Sequence, residues 1–175
     1  MTLPNIITII RIILIPVWAT TFALGKYYVT FALICVSALT DVLDGWIARK
    51  FNMISRLGMI LDPVADKLTQ MATLFCLISR FSYMIYPLVI LVFKEVCTGV
   101  TGLISIKRTN TVEGAVWHGK LTTVTLYTMM GVHLLWYNLP RTVSLIMVGV
   151  CIGIMLMSFI MYSVRNITAI KNKSF

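Results

Sequence analysis

Four of the six acidic residues of this chain lie between positions 41 and 66. Asp41 and Asp44 are spaced i, i+3. Asp62 and Asp66 are spaced i, i+4, so that each pair falls on one face of a helix. The segment has no His or Cys, and ligands that are oxygens only favour Mg²⁺ or Mn²⁺ over Zn²⁺. Four carboxylates match the charge of two such ions, which keep open positions for phosphate oxygens. We therefore expect a two-metal site, with a structural ion-pair cluster or a cation pathway as the alternatives.

The elements that would position these aspartates are membrane-spanning helices. Apolar side chains make up 59% of the 175 residues and the mean hydropathy is +0.92, which is too hydrophobic for one soluble core. A spanning helix needs roughly 20 mostly apolar residues. The expected fold is all-α, a polytopic membrane protein with six transmembrane helices in a single domain over residues 1–175. The six windows are 6–24, 28–48, 60–79, 84–106, 121–138 and 142–164.

A short loop at residues 50–57 joins the second and third windows, so the two aspartate pairs can meet at the same membrane depth in an antiparallel hairpin. An ionised side chain at mid-bilayer costs about 2.5–3.5 kcal/mol, so four that faced lipid would cost on the order of 10 kcal/mol. We expect them to face inward, compensated by cations. Gly45 and Gly58 leave room beside the aspartates for a bulky group, although helix packing or a helix start would also explain these glycines.

The formal charge of +9 is explained by membrane topology rather than by nucleic acid, because the basic residues fall at the ends of the apolar windows. With a cytoplasmic N-terminus, nine Lys and Arg residues lie on the inner side, and three, Lys26, Arg80 and Arg141, lie on the outer side. Both termini and the aspartates are then cytoplasmic, in a multi-pass protein of the cell membrane. The first window lacks a basic start and a small-residue cleavage site, so we expect a retained span and not a signal peptide.

Eight positions of the acidic segment resemble the signature of the CDP-alcohol phosphotransferase (phosphatidyltransferase) family, each at its proper distance: Asp41-x2-Asp44-Gly45-x2-Ala48-Arg49-x8-Gly58-x3-Asp62-x3-Asp66. The six apolar windows extend the resemblance across the chain. It implies the fold of that family and a reaction in which a CDP-linked lipid loses CMP while its phosphate is taken by the hydroxyl of an alcohol. Because members of the family form homodimers, it also implies a homodimer.

The resemblance assigns roles to these residues. The four aspartates would hold two Mg²⁺ or Mn²⁺ ions on the donor's pyrophosphate, and Asp66 would also be the base that deprotonates the acceptor hydroxyl. Gly45, Ala48 and Gly58 would make room for the nucleotide, and Arg49 would pair with phosphate or position the motif. Negative charge builds on the bridging oxygens during attack at phosphorus, and two metals neutralise it on both the attacking and the leaving side.

The start of the chain is similar to the opening of the bacterial phosphatidylglycerophosphate synthases of this family, which carry Pro-Asn-x2-Thr-x2-Arg. Here Pro4 and Asn5 are followed by Thr8 and Arg11. Asn5, Thr8 and Arg11 share a helical face and would lie near the donor's phosphates or nucleotide, with an interfacial anchor as the alternative for Arg11. This similarity implies CDP-diacylglycerol as donor and glycerol 3-phosphate as acceptor.

The residues around Lys94 bear on the identity of the acceptor. Lys94 and Glu95 stand where those synthases have Arg-Glu, but Gly102 replaces their second Arg, seven residues later. The missing Arg leaves open a relative that uses phosphatidylglycerol to make cardiolipin, and a divalent-cation carrier would use the same aspartates without a CDP donor. Cations for the acceptor phosphate are expected at Lys94, Lys107, Arg108 and Lys120, although loop charges of this kind also serve as topology signals.

Overall fold

The computed structural model describes the backbone of residues 3–50, 58–109, 117–136 and 138–171, and the side chains in these ranges except at 3–5, 41–49, 59–60, 103–109, 166 and 169–171. These ranges form six α-helices and a 3₁₀ helix, Ser82–Met84, and they contain no strand. Each predicted window overlaps one α-helix, which confirms the all-α prediction. The α-helices are α1 (Leu3–Ala23), α2 (Tyr27–Lys50), α3 (Gly58–Ile78), α4 (Ile85–Thr109), α5 (Trp117–Leu135) and α6 (Arg141–Lys171).

Within the part of the chain that the structure describes, three stretches are long and apolar enough to cross a membrane, which supports a membrane protein: Ile6–Ala23, Ser82–Gly102 and Arg141–Arg165. Within α2, the shorter stretch Tyr27–Thr40 is also apolar. The first three turns of α3 carry Asp62, Asp66 and Lys67, which lower the apolar content of that helix. The crossing of all six helices stays a prediction.

In the first half of α1, the buried side chains are polar and large aliphatic side chains are exposed. Thr8 is 0% exposed and Arg11 is 3% exposed, whereas Ile10 and Ile13 are 50% and 60% exposed. A protein in water buries large aliphatic side chains and exposes arginine. The reverse arrangement suits a helix in lipid, where charged groups face the protein interior.

The chain divides into two compact units. The first comprises Met1–Ser82 and Met130–Tyr137, and the second comprises Tyr83–Met129 and Asn138–Phe175. The last residues of α5 thus belong to the first unit and the rest of α5 to the second. The single domain over residues 1–175 stays a prediction.

In the first unit, α1 packs against both α2 and α3. The turn from α1 to α2 depends on Gly25, whose φ of 74° is a left-handed conformation that glycine adopts readily. The Gly25 amide donates to the Phe22 carbonyl at 2.9 Å, and the Lys26 amide donates to the Thr21 carbonyl at 3.0 Å, which is the hydrogen-bond pattern of a Schellman cap. This short turn makes α1 and α2 antiparallel neighbours.

Arg80, just past the end of α3, joins three elements of the first unit. Its guanidinium donates to the carbonyls of His133 at 3.3 Å and Trp136 at 3.4 Å, at the end of α5, where carbonyls lack partners within the helix. The same group lies over the ring of Tyr27 at the start of α2, 4.7 Å from the ring centroid. Because Asp62 lies near the start of α3, Arg80 marks the opposite end of that helix.

In the second unit, α4 packs against α6. The hydroxyls of Tyr83 and Ser144, beside the starts of the two helices, share a hydrogen bond of 2.6 Å. Farther along, the rings of Phe93 and Phe159 meet edge to face with centroids 5.8 Å apart. Since the start of one helix meets the start of the other, α4 and α6 run in the same direction.

Candidate functional site

Asp62 and Asp66 lie in the second and third turns of α3, on one face of that helix, and both are partly exposed. The Thr8 hydroxyl of α1 donates a hydrogen bond to Oδ1 of Asp62 at 2.5 Å. The structure thus brings together two residues that the sequence predicts for the site. They lie on different helices and are 54 positions apart in the chain.

Asp66 is in contact with two side chains of its own helix. The Nε2 amide of Gln70 donates to Oδ2 of Asp66 at 2.9 Å. The Nζ of Lys67 lies 3.9 Å from the same carboxylate oxygen and donates to Oε1 of Gln70 at 3.4 Å. The carboxylate predicted to act as the base therefore accepts a hydrogen bond from one neutral side chain and lies near one positive side chain.

Two further predicted residues lie near the bonded pair of Thr8 and Asp62: Arg11 on α1 and Gly58 on α3. Arg11 is one turn beyond Thr8 on α1, and Gly58 is buried at the first position of α3. An arginine that anchors a helix at the membrane surface extends its charged group towards the head groups. The burial of Arg11 instead favours a position inside the protein, as the donor-binding interpretation expects.

Six residues predicted to bind the metal ions or the CDP-linked substrate have side-chain positions outside the described residues. The helical backbone of α1 or α2 continues through them. The meeting of the four aspartates in one pocket therefore stays a prediction. Among the side chains that are described, no group of three or more His, Cys, Asp or Glu lies close enough together to hold a metal ion. The six residues are Asn5, Asp41, Asp44, Gly45, Ala48 and Arg49.

The chemistry of the two described aspartates fits a hard divalent cation. Both offer carboxylate oxygens, the ligands that Mg²⁺ and Mn²⁺ prefer. Each also accepts a hydrogen bond from a neutral side chain, Thr8 for Asp62 and Gln70 for Asp66. Metal-binding carboxylates are commonly held by such outer hydrogen bonds.

Two of the predicted acceptor ligands have described side chains. Lys94 is 5% exposed, and its Nζ is 2.7 Å from Oε1 of Glu95. The sequence places Lys94 beside Glu95, and the structure shows the two side chains as an ion pair. Lys120 is exposed in the first turn of α5. The backbone of Lys107 and Arg108 lies in the last turn of α4, and their side chains lie outside the described residues.

His118 connects the start of α5 to α6. It is 2% exposed, and its Nδ1 lies 3.1 Å from the Ser158 hydroxyl. Its ring meets the Tyr162 ring edge to face with centroids 4.4 Å apart. Gly119 permits this packing, because a Cβ at that position would lie 2.6 Å from the Tyr162 hydroxyl. The packing of Tyr162 therefore explains why a glycine precedes Lys120 at the start of α5.

The sequence interpretation did not assign roles to Gln70 or to the pair of Gly119 and Tyr162. Gln70 had a usable signal, since it follows Asp66 by four residues on a helix and must share its face. Tyr162 had none, because no spacing within the chain relates a residue of α6 to the first turn of α5.

Comparisons with known proteins agree with the motif and the helices. The family model for CDP-alcohol phosphatidyltransferase matches residues 1–162. A protein of Aquifex aeolicus named CDP-diacylglycerol–glycerol-3-phosphate 3-phosphatidyltransferase is 34% identical over 132 residues, which cover 71% of this chain and 70% of that protein. Proteins of the same name from Escherichia coli K12 and Shigella flexneri serotype 5b are 44% identical over 68 residues, which cover 37% of this chain and 37% of each relative. The chain belongs to the CDP-alcohol phosphatidyltransferase family, and it is a transferase.

Proposed function

We propose that this protein transfers the phosphatidyl group of CDP-diacylglycerol to a hydroxyl of glycerol 3-phosphate, forming phosphatidylglycerophosphate and releasing CMP. The observation that carries the proposal is the pair Asp62 and Asp66, one turn apart on α3 and each hydrogen-bonded to a neutral donor. The names of the relatives from Aquifex aeolicus and Escherichia coli supply the substrates.

In this proposal, the two described aspartates act with Asp41 and Asp44 to hold two Mg²⁺ or Mn²⁺ ions. Such ions would neutralise the charge that develops on the phosphate oxygens and the leaving group. Asp66 receives the proton of the acceptor hydroxyl as the new bond to phosphorus forms. Thr8 holds the Asp62 carboxylate in place by its hydrogen bond.

The donor would occupy the part of the first unit where α1 and α3 begin. Arg11 supplies a buried positive charge on the same helix as Thr8, suited to the donor's phosphates. Asn5 and Arg49 would add polar contacts to the donor. Gly58, buried and without a side chain, together with Gly45 and Ala48, would leave space for the nucleotide.

For the acceptor phosphate we propose Lys94, Lys107, Arg108 and Lys120 as ligands. A second acceptor, phosphatidylglycerol, is supported by Gly102. Among the described residues, no atom lies within 4 Å of a Cβ placed at this position, where the related synthases carry a second arginine. An acceptor whose phosphate is a diester, with one negative charge, needs fewer cations than glycerol 3-phosphate.

We place the protein in the cell membrane with six spans, both termini in the cytoplasm, and the aspartates on the cytoplasmic side. The buried Arg11 and exposed Ile13 of α1 support contact with lipid. The excess of Lys and Arg in the inner loops supports the orientation. A homodimer is proposed from the resemblance to the family.

The test is CMP release by the protein purified in detergent with Mg²⁺ or Mn²⁺ and CDP-diacylglycerol. Glycerol 3-phosphate, phosphatidylglycerol, inositol phosphate and serine are offered separately, and Asp66→Asn is the inactive control. Release that requires glycerol 3-phosphate and is lost in the variant supports the proposal. Release only with another acceptor overturns the proposed substrate, and no release with any of them overturns the proposed reaction.

A further inference from the structure

We propose that Gln70 is a positioning residue for Asp66: its side-chain amide fixes the rotation of the Asp66 carboxylate, and Lys67 fixes the orientation of that amide. This inference rests on the proposed function, because it assigns Gln70 a role in the work of Asp66. Neither the family signature nor the similarity to the synthases includes Gln70.

The geometry of the contact is direct. Gln70 follows Asp66 by four residues on α3, so the two side chains lie on one face. The Nε2 of Gln70 is 2.9 Å from Oδ2 of Asp66, a normal length for a hydrogen bond between an amide and a carboxylate. Gln70 is 1% exposed, whereas the Asp66 side chain is 29% exposed. A buried donor thus holds a carboxylate that remains accessible.

The amide of Gln70 has one orientation that satisfies both of its neighbours. An ionised carboxylate only accepts hydrogen bonds, so the NH₂ group must face Asp66. The ammonium group of Lys67 only donates, so the Gln70 carbonyl oxygen must face Lys67, and it does so at 3.4 Å. The Asp66 carboxylate and the Lys67 ammonium group therefore fix which end of the Gln70 amide is the nitrogen and which is the oxygen.

The other buried polar side chains described on α3 make their hydrogen bonds with backbone carbonyls of the same helix. The Thr69 hydroxyl donates to the Ala65 carbonyl at 3.0 Å, and the Thr73 hydroxyl donates to the Thr69 carbonyl at 2.8 Å. Gln70 directs its amide to a carboxylate of the candidate site. Burying an amide is unfavourable unless its hydrogen bonds are made. An apolar side chain would avoid that cost, so the presence of glutamine here is explained by its bond to Asp66.

This bond restricts the terminal torsion of the Asp66 side chain. The terminal torsion of an aspartate has a broad distribution, so a carboxylate without outer partners samples many orientations. A proton acceptor or metal ligand must instead present its oxygens in one direction. Loss of an outer hydrogen bond of this kind typically lowers metal affinity or activity by about 10–100-fold.

Two variants of Gln70 test the inference. Gln70→Met preserves the length and most of the volume but has no donor. Gln70→Asn keeps an amide that is one methylene too short to reach Asp66. Thr73→Val is the matched control, because Thr73 is 1% exposed, lies three residues further on α3, and hydrogen-bonds only to its own helix among the described contacts.

Two readouts are compared for the full-length protein in detergent. The first is Mn²⁺ binding without lipid, measured by electron paramagnetic resonance of the unbound ion. The second is the kcat and KM of CMP release with CDP-diacylglycerol and glycerol 3-phosphate. Both Gln70 variants should bind Mn²⁺ about tenfold more weakly and lose about 10–100-fold in kcat, with KM for the donor nearly unchanged. Thr73→Val should resemble the wild type in both readouts.

The outcomes separate this inference from the proposed function. If the wild type releases CMP and both Gln70 variants match its kcat and its Mn²⁺ affinity, the positioning role is wrong while the proposed reaction stands. Variants that are merely less stable, with normal kcat per folded molecule and normal Mn²⁺ affinity, overturn it as well. A wild type that releases no CMP with any acceptor overturns the proposed function and this inference with it.

Discussion

The hydroxyl of Thr8 donates a hydrogen bond of 2.5 Å to Oδ1 of Asp62, across 54 residues of sequence. Both residues lie in the second turn of their helices, so the bond holds the starts of α1 and α3 at one level. A carboxylate that a hydroxyl holds in this way is better prepared to bind a cation than one free to rotate.

Replacing Thr8 by valine should lower kcat for CMP release by about tenfold, because the Asp62 carboxylate loses an outer donor while the packed volume is kept. Steady-state kinetics in detergent would measure the effect. Thr30→Val is the control, since Thr30 is also fully buried and its hydroxyl pairs with that of Thr21, near the other end of α1. Equal kcat for the two variants would contradict a role of Thr8 at Asp62.

Asp66→Asn should lower kcat by about 10²–10⁴-fold, the usual contribution of a positioned general base. The amide cannot accept the proton of the acceptor hydroxyl, and it binds a divalent cation more weakly than a carboxylate does. The rate of CMP release and the thermal unfolding temperature are measured together. A folded variant that keeps more than a tenth of the activity would rule out the assigned role.

Removal of divalent cations with EDTA should abolish CMP release, and Mg²⁺ or Mn²⁺ should restore it. The aspartates offer only oxygen ligands, which suit these hard cations. Binding of the ion should also raise the unfolding temperature, because a ligand of the folded state stabilises it. Full activity after exhaustive chelation would exclude the two-metal proposal.

Gly119→Ala should destabilise the fold by about 1–3 kcal/mol, since a new methyl group must displace the Tyr162 ring. The Cβ would lie 2.6 Å from the Tyr162 hydroxyl. Gly153→Ala is the matched control on α6, where a Cβ meets no atom of the described residues within 4 Å and alanine favours the helix. Thermal unfolding should therefore distinguish the two variants, and equal unfolding temperatures would count against the close contact.

Arg80→Ala should lower the unfolding temperature with little change in kcat per folded molecule. Its guanidinium joins the carbonyls of His133 and Trp136 to the ring of Tyr27, at the end of α3 away from Asp66. The expected loss is about 1–3 kcal/mol, because two helix-end carbonyls lose a charged donor. Arg141→Ala, which alters an exposed arginine, should leave the unfolding temperature unchanged. A drop of equal size in both variants would argue against the specific role of Arg80.

The sequence by itself determined the features that depend on local spacing. Apolar windows of spanning length located the six α-helices of the described residues. In lipid, an apolar segment forms a helix because a helix makes the hydrogen bonds of its own backbone. The helical period placed Asp62 and Asp66 on one face, and it would also have placed Gln70 there. The family followed from the spacing of the aspartates and glycines, and the family model over residues 1–162 confirms it.

Tertiary structure alone decided which distant residues meet. Three contacts join residues more than 40 positions apart in the chain: the bond from Thr8 to Asp62, the bond from Arg80 to the end of α5, and the close approach of Tyr162 to Gly119. Such contacts depend on how each helix is rotated and shifted against its neighbours. The helical period fixes which residues share a face, but the packing of side chains between helices fixes which faces touch and at what level.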